Sequence, residues 1–192
     1  RIKPRYITEE DVSFVMTPRI NAASRMAHPM DAVRVLSATS KAEAATAVDH
    51  LIDLNEKRKT LVATIVRAAH AKLKKRTLGP VIVVGDPGWN TGVSGLVATK
   101  IAETYERPAF VWSKEGDIIK GSCRGYGSAS VVEIMNATPD DTFIQFGGHA
   151  GAGGFSLSHE KIHNLEELLV EAIEQCADGE EGAPAYCVDA QL

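Results

Sequence analysis

The chain has 192 residues, 44% of them hydrophobic and 24% charged, as in an ordinary folded domain. This composition excludes wholesale disorder, a collagen-like repeat and a disulfide-dense scaffold. The longest apolar runs are far shorter than the roughly 20 residues of a membrane helix, so we expect a soluble protein that does not contact membranes. The chain starts with Arg-Ile-Lys-Pro-Arg, without Met or an apolar signal segment, and both ends are expected to be cut from a longer protein.

The net charge of −4 hides an asymmetry. Residues 1–76 hold 15 of the 21 Lys and Arg but only 8 of the 25 Asp and Glu, which gives +7 there and −11 in the remainder. A basic segment can contact a polyanion, and a solvated helix face is the alternative. The three cysteines are odd in number and lack a Cys-x-x-Cys pair, which argues against disulfides and a cysteine zinc site and predicts a reducing, cytoplasmic compartment.

The first part of the chain is predicted to be helical. We expect a short helix from Thr8, an irregular stretch Thr17–Pro29 and a helix Met30–Ala38. A capping box begins at Ser40, apolar residues then recur at steps of three, four or seven, and no Gly or Pro occurs before residue 79. This pattern predicts one helix of about 33 residues within 40–76, roughly 50 Å long, with a basic polar patch at Asn55 to Lys59.

After Gly79 the pattern alternates between strands and helices, which predicts a three-layer α/β domain with a mixed sheet. An acidic linker, residues 178–182, then precedes a further strand at 185–188. The predicted strands are Val81–Val84, Ala109–Trp112, Ile118–Cys123, Thr142–Gln145 and Phe155–Leu157. The predicted helices are Gly92–Tyr105, Ala129–Met135 and Lys161–Cys176.

Four segments carry polar groups suited to an anion. A glycine-rich loop, residues 146–155, offers backbone N–H groups and His149, and a tight packing loop is its alternative. Ser122 and Arg124 stand between glycines at a strand end, where an arginine can pair bidentately with a phosphate, or can be an exposed hairpin residue. The other two segments hold Trp89 and Asn90, before a helix that Asn90 or Thr91 could simply cap, and Arg19, Asn21 and Arg25, in a stretch that could instead be a hinge.

Catalytic equipment is not evident in the sequence. Asp49-His50 is the only adjacent Asp-His pair, it lies inside the long helix, and we interpret it as a helix-surface pair. No Ser-His-Asp or Cys-His arrangement stands out. We therefore expect no catalytic residue and no bound metal in this chain.

Five motifs in order resemble the RecJ family of single-stranded-DNA exonucleases. They are Pro-Arg-Ile-Asn-Ala-Ala-Ser-Arg-Met at 18–26, Leu-Asn-Glu-Lys-Arg at 54–58, Trp-Asn-Thr-Gly-Val-Ser-Gly-Leu-Val-Ala at 89–98, Gly-Ser-Cys-Arg at 121–124 and Phe-Gly-Gly-His-Ala at 146–150. The last resembles the signature of the DHH-associated domain. Three positions depart from the family pattern: Ser24 replaces a common Gly, Asn90 replaces a common His, and Gly125-Tyr126 replaces a Ser.

The resemblance implies a parent exonuclease with two divalent cations, Mn²⁺ or Mg²⁺, held by an upstream DHH domain and not by this chain. It implies that 1–39 end that domain, 40–76 form a connecting helix, 77–177 form the DHH-associated substrate-binding domain and 178–192 lead into a following domain. The implied partner is single-stranded nucleic acid, with DNA favoured, in repair or recombination together with replication or repair proteins. The implied substrate-binding residues are Arg19, Asn21, Arg25, Ser122, Arg124, Gly147, Gly148 and His149, followed by Asn55, Arg58, Trp89 and Asn90.

Two other interpretations stay open. One is a non-catalytic relative that binds DNA or a replication partner. The other is an oligoribonuclease-type phosphoesterase.

Overall fold

The structure is a computed structural model that describes residues 6–177. A π-helical segment, Asp11–Met16, precedes the first α-helix. The helices are α1 (Thr17–Met26), α2 (Met30–Ser37), α3 (Lys41–Leu73), α4 (Ser94–Tyr105), α5 (Val131–Asn136) and α6 (Leu165–Ala177). The strands are β1 (Ile82–Gly85), β2 (Ala109–Glu115), β3 (Ile118–Arg124), β4 (Gln145–His149) and β5 (Ala152–Ser158). None of the described helices is both long enough and apolar enough to cross a membrane.

The long helix α3 is continuous over 33 residues, which confirms the helix predicted from the capping box and the periodicity. Its first turn is capped because the Glu43 N–H donates to Ser40 Oγ at 3.2 Å. Glu43 Oε2 accepts in return from the Thr39 N–H at 3.1 Å. The chain divides into two compact units, unit 1 up to Thr64 and unit 2 from Ile65 onward, and the division falls inside this helix.

The prediction of an irregular stretch over Thr17–Pro29 is wrong, because Thr17–Met26 is an α-helix. Pro18 lies in the first turn of α1, directly after the π-helical segment Asp11–Met16, and the Thr17 N–H donates to the Val12 carbonyl. Ala22 and Ala23 are fully buried in a small core with Leu51 and Leu54 of α3 and with Ala32 of α2. The small residues that suggested a loop instead allow the helices of unit 1 to pack closely.

Unit 2 contains a five-stranded sheet in the order β1-β2-β3-β5-β4. The β1–β2 pair is parallel and the other three pairs are antiparallel, so the predicted mixed α/β sheet is confirmed. One face of the sheet packs on α5 and α6 through a core that includes Phe110, Ile119, Cys123, Phe155 and Leu157. Helix α4 packs on the other face, over β2 and β3.

The glycine-rich segment is a hairpin and not the predicted loop. Gly147, Gly148 and His149 lie in β4, which begins at Gln145, where the predicted strand ended. β5 begins at Ala152, before the predicted start at Phe155. Gly148 has φ of +150°, and a Cβ there would lie 2.2 Å from the Ala152 carbonyl oxygen, so this close strand pairing needs glycine. The strand predicted at 185–188 lies outside the described residues.

Candidate nucleic-acid interface

Among the described residues of unit 2, α4 packs on one sheet face over β2 and β3, and Gly147, His149 and Gly154 of β4 and β5 are exposed. We call the β4 and β5 part of this face, with the adjoining part of β3, the open face. Paired residues of neighbouring strands project to the same face, so the register arranges the open face in three rows. Row 1 is Arg124, Ala152 and His149, row 2 is Ser122, Gly154 and Gly147, and row 3 is Lys120, Ser156 and Gln145. Four of the predicted residues, Ser122, Arg124, Gly147 and His149, therefore share one surface.

Arg124 stands at the first turn of α4. A Cβ built on Gly95 would lie 2.9 Å from Arg124 Nη2 and 3.6 Å from Ser122 Cβ, so the guanidinium occupies space that glycine leaves open. Nη1 donates to the Cys123 carbonyl at 2.7 Å. Within residues 6–177, no carboxylate forms an ion pair with Arg124. The guanidinium and the helix N-terminus are both positively charged, and a bound anion would interact favourably with each of them.

His149 presents a second donor on row 1. Its Nδ1 accepts from the Gly151 N–H at 3.3 Å, which leaves the proton of the neutral ring on Nε2. The residue is exposed. The Cα atoms of Arg124 and His149 are two strand spacings apart, about 10 Å, with only the small Ala152 between them.

The glycines of the hairpin fall into two kinds. Besides Gly148, Gly153 is required by packing, since a Cβ there would lie 2.9 Å from the Gly147 carbonyl and 3.0 Å from both Cys123 Sγ and Met135 Cε. Gly147 has open space around its Cβ position, and Gly154 has only one neighbour there, a backbone oxygen at 3.7 Å. The fold does not need glycine for space at these two exposed positions, which keep row 2 accessible to a ligand.

The three polar residues of row 3 were not predicted from the sequence. Lys120 Nζ donates to Glu115 Oε1 at 2.8 Å, and this bond is the main reason why the pKa of Glu115 lies below its usual value. Ser156 and Gln145 lie beside Lys120 on the same row. The alternation of β3 was the available signal, because residues 120, 122 and 124 project to one face of a strand.

Trp89 and Asn90 form stabilising contacts in the connection between β1 and α4. Asn90 Oδ1 accepts from the Gly92 N–H at 2.9 Å and caps the short 3₁₀ turn Thr91–Val93, which is the alternative that the sequence left open. The Trp89 ring lies under Lys72 Nζ at 5.2 Å from its centroid. Lys72 also forms an ion pair with Asp86 at 2.7 Å, and this bond lowers the pKa of Asp86.

The predicted residues of unit 1 form a separate group on α1 and α3. The Arg19 guanidinium donates to the Val15 carbonyl, and Asn21 is exposed. Arg58 Nη2 donates to Asn55 Oδ1 at 2.9 Å. Burial, followed by the positive charge of Arg25, lowers the pKa of Arg58. Asn55 is 2% exposed, whereas Glu56, Lys57 and Lys59 of the predicted patch are exposed.

The described residues do not fit a metal ion. No three His, Cys, Asp or Glu side chains come together anywhere in 6–177. His50 Nε2 lies 3.4 Å from Asp31 Oδ2 on α2, so its partner is not the adjacent Asp49. Cys123 is buried, and this burial raises the pKa of its thiol to about 12, so it is unsuited to act as a thiolate.

A mixed five-stranded sheet with a glycine-rich hairpin and helices packed on both faces defines an α/β domain. A family model described as the DHHA1 domain matches residues 77–178. The chain belongs to the DHHA1 domain family.

The similarity to known proteins extends through the N-terminal helices. The chain is 32% identical to the single-stranded-DNA-specific exonuclease RecJ of Bacillus subtilis strain 168, over 94% of this chain and 23% of that protein. The crystal structures of Thermus thermophilus RecJ with Mg²⁺ and with Mn²⁺ superpose with TM-scores of 0.74 and 0.72. They are 32% and 33% identical, and each match covers 88% of this chain and 26% or 24% of the other. The RecJ resemblance carried by the five motifs is thereby confirmed, for a chain that spans about a quarter of these relatives.

Proposed function

We propose that the open face binds the 5′-terminal phosphate region of a single-stranded nucleic acid, DNA in preference to RNA, as the substrate-binding part of a RecJ-like 5′-to-3′ exonuclease. The observation that carries this proposal is the Arg124 guanidinium at the first turn of α4, without a carboxylate partner among the described residues. The open face also carries Ser122 and Gly147 on row 2 and His149 on row 1. Gly148 lies between Gly147 and His149 in β4. Such an arrangement pairs charge-assisted donors with exposed backbone, as phosphate recognition requires.

The rest of the proposal concerns the parent protein. Residues 1–39 would end a catalytic domain, 40–76 connect it to the substrate-binding domain at 77–177, and 178–192 lead onward. Arg19, Asn21, Arg25 and Arg58 are proposed to contact the strand from unit 1, supported by the like charges of Arg25 and Arg58. Buried Asn55 is proposed to orient Arg58 through its 2.9 Å hydrogen bond. Because the described residues offer no ligand cluster, any Mn²⁺ or Mg²⁺ is assigned to other parts of the parent. Free Cys123 and Cys176 support a reducing, cytoplasmic setting, where repair or replication proteins would be its partners.

The test of the proposed function is binding without cleavage. A protein with two or three phosphate contacts on a single strand should lose about 7- to 18-fold in affinity between 50 and 200 mM salt. We expect this dependence for a 5′-phosphorylated oligodeoxynucleotide, and weaker binding for the same strand with a 5′-hydroxyl. Salt-independent binding, or equal affinity for the two strands, would contradict the proposal.

We expect no hydrolysis of the same labelled strand in Mn²⁺, because the described residues cannot assemble a metal-activated water. An inactive preparation carried through the same purification serves as the control for a contaminating nuclease. Turnover above that control would refute the expectation.

Gly95→Ala should separate phosphate binding from stability. The new methyl would lie 2.9 Å from Arg124 Nη2, the far end of a flexible side chain, so the guanidinium must move while the backbone stays. Alanine also favours a helix over glycine by about 1 kcal/mol. We expect unchanged or higher stability in urea and a threefold or greater loss of affinity for the 5′-phosphorylated strand. Unchanged affinity would show that the position of this guanidinium is irrelevant to binding.

A further inference from the structure

Row 3 of the open face borders a shallow cavity that extends beyond the residues of the proposed phosphate site. This shallow cavity has a volume of about 320 Å³ and is lined by Lys120, Gln145, Phe146, Gly147, Gly154, Phe155 and Ser156. Its side chains supply a cation, an amide and a hydroxyl. Gly147 and Gly154 belong to both the cavity and row 2, so the cavity is continuous with the surface that carries Ser122 and Arg124.

The cavity is lined by polar groups that can form hydrogen bonds with a ligand. The Lys120 ammonium group donates one N–H to Glu115 Oε1, and its side chain is 43% exposed. Its other two N–H groups are therefore available to a ligand. Gln145 is exposed and offers an amide that both donates and accepts. Ser156 Oγ donates to the Gln145 carbonyl at 3.4 Å, a long bond that leaves the oxygen able to accept. A cation next to neutral polar groups, beside exposed glycine backbone, suits a phosphate with its sugar and base edge.

The geometry places the cavity further along a strand held by Arg124. Lys120 and Arg124 are four residues apart on β3, about 13 Å between Cα atoms. A stacked strand advances about 3.4 Å per nucleotide, so this span corresponds to roughly four stacked nucleotides, or to fewer when the strand is extended. Because Lys120 Nζ is held on Glu115 Oε1 and Arg124 Nη1 on the Cys123 carbonyl, we expect that a mononucleotide at Arg124 does not contact Lys120.

We propose that the cavity lined by Lys120, Gln145 and Ser156 is an internal nucleotide subsite, which contacts a phosphate of the same strand downstream of the 5′ phosphate at Arg124. This proposal rests on the proposed function. It adds a direction to it, since the strand then runs along β3 from row 1 to row 3.

The experiment uses the full chain and a ladder of 5′-phosphorylated oligothymidylates of one to eight nucleotides. Lys120→Gln removes the charge at the cavity. Lys114→Gln is the matched control, because exposed Lys114 pairs with Ile119 and so projects to the opposite face of the same sheet. Arg124→Ala reports on the phosphate site itself.

Lys120→Gln should lower affinity for the octanucleotide about three- to tenfold and leave mononucleotide affinity unchanged. The slope of log affinity against log salt should become shallower by about 0.7 for the octanucleotide only, which is the effect of one lost phosphate contact. Lys114→Gln should match the wild type at every length.

An equal loss for the mononucleotide, or no loss at any length while Arg124→Ala weakens every strand, would overturn the subsite and leave the proposed function standing. If Arg124→Ala has no effect at any length, the proposed function itself fails. These outcomes are distinguishable because the two variants differ in their dependence on strand length.

Discussion

Arg124→Ala is expected to reduce affinity for a 5′-phosphorylated single strand by about 10- to 150-fold, the largest binding effect of any single substitution in this chain. Hydrogen bonds to a charged group contribute about 1.5–3 kcal/mol, and a guanidinium can form two of them with one phosphate. The residue lacks a carboxylate partner within 6–177, so the substitution should cost little stability. The measurement is a fluorescence anisotropy titration at 50 and 200 mM salt.

Lys114→Ala is the control for the loss of a positive charge. Lys114 is exposed on the opposite face of the sheet, and the substitution should change affinity by less than about twofold. Equal losses for Arg124→Ala and Lys114→Ala would mean that Arg124 acts only as a general surface charge. A 5′-hydroxyl strand should show a much smaller difference between wild type and Arg124→Ala.

Gly148→Ala is expected to destabilise unit 2 by about 3 kcal/mol, the largest stability effect that we predict. Its backbone has φ of +150°, where strain for other residues is about 1–3 kcal/mol. The added Cβ would also lie 2.2 Å from the Ala152 carbonyl oxygen and 2.5 Å from Gly153 Cα, and this backbone cannot move without breaking the β4–β5 pairing.

Gly147→Ala, one residue earlier in the same strand, is the matched control. Nothing lies within 4 Å of its Cβ position, so the substitution should change stability by less than about 0.5 kcal/mol. Urea unfolding followed by tryptophan fluorescence measures both variants, because Trp89 and Trp112, the two tryptophans of the chain, lie in unit 2. Similar unfolding midpoints for the two variants would contradict the strand geometry assigned to Gly148.

Local patterns predicted much of this fold. The capping box and the apolar repeat placed α3 because helix signals lie within a few residues of each other. The same local reasoning was wrong for α1. Pro18 disfavours a helix when only the local sequence is considered. The helix forms nevertheless because Ala22 and Ala23 are buried in the core of unit 1.

The candidate site was predicted residue by residue but not as a surface. Ser122, Arg124 and His149 carry recognisable chemistry in their motifs, whereas their alignment in rows depends on the register of three strands that are distant in sequence. Lys120 and Gln145 belong to no motif and became candidates only through this register. In the same way, the glycines of 147–154 looked equivalent until the structure separated those that packing requires from those that leave the surface open.

The most direct test of the open face as the nucleic-acid interface is a map of backbone amide chemical shifts during titration with a 5′-phosphorylated tetrathymidylate. We expect the largest shifts at Ser122, Arg124, Gly147, His149 and Gly154, with a smaller group around Lys120. The amides of α5 and α6, on the opposite face, should remain unchanged. Shifts centred on α5 and α6, or no shifts in β3, β4 and β5 at strand concentrations that saturate binding, would contradict the assignment of the open face.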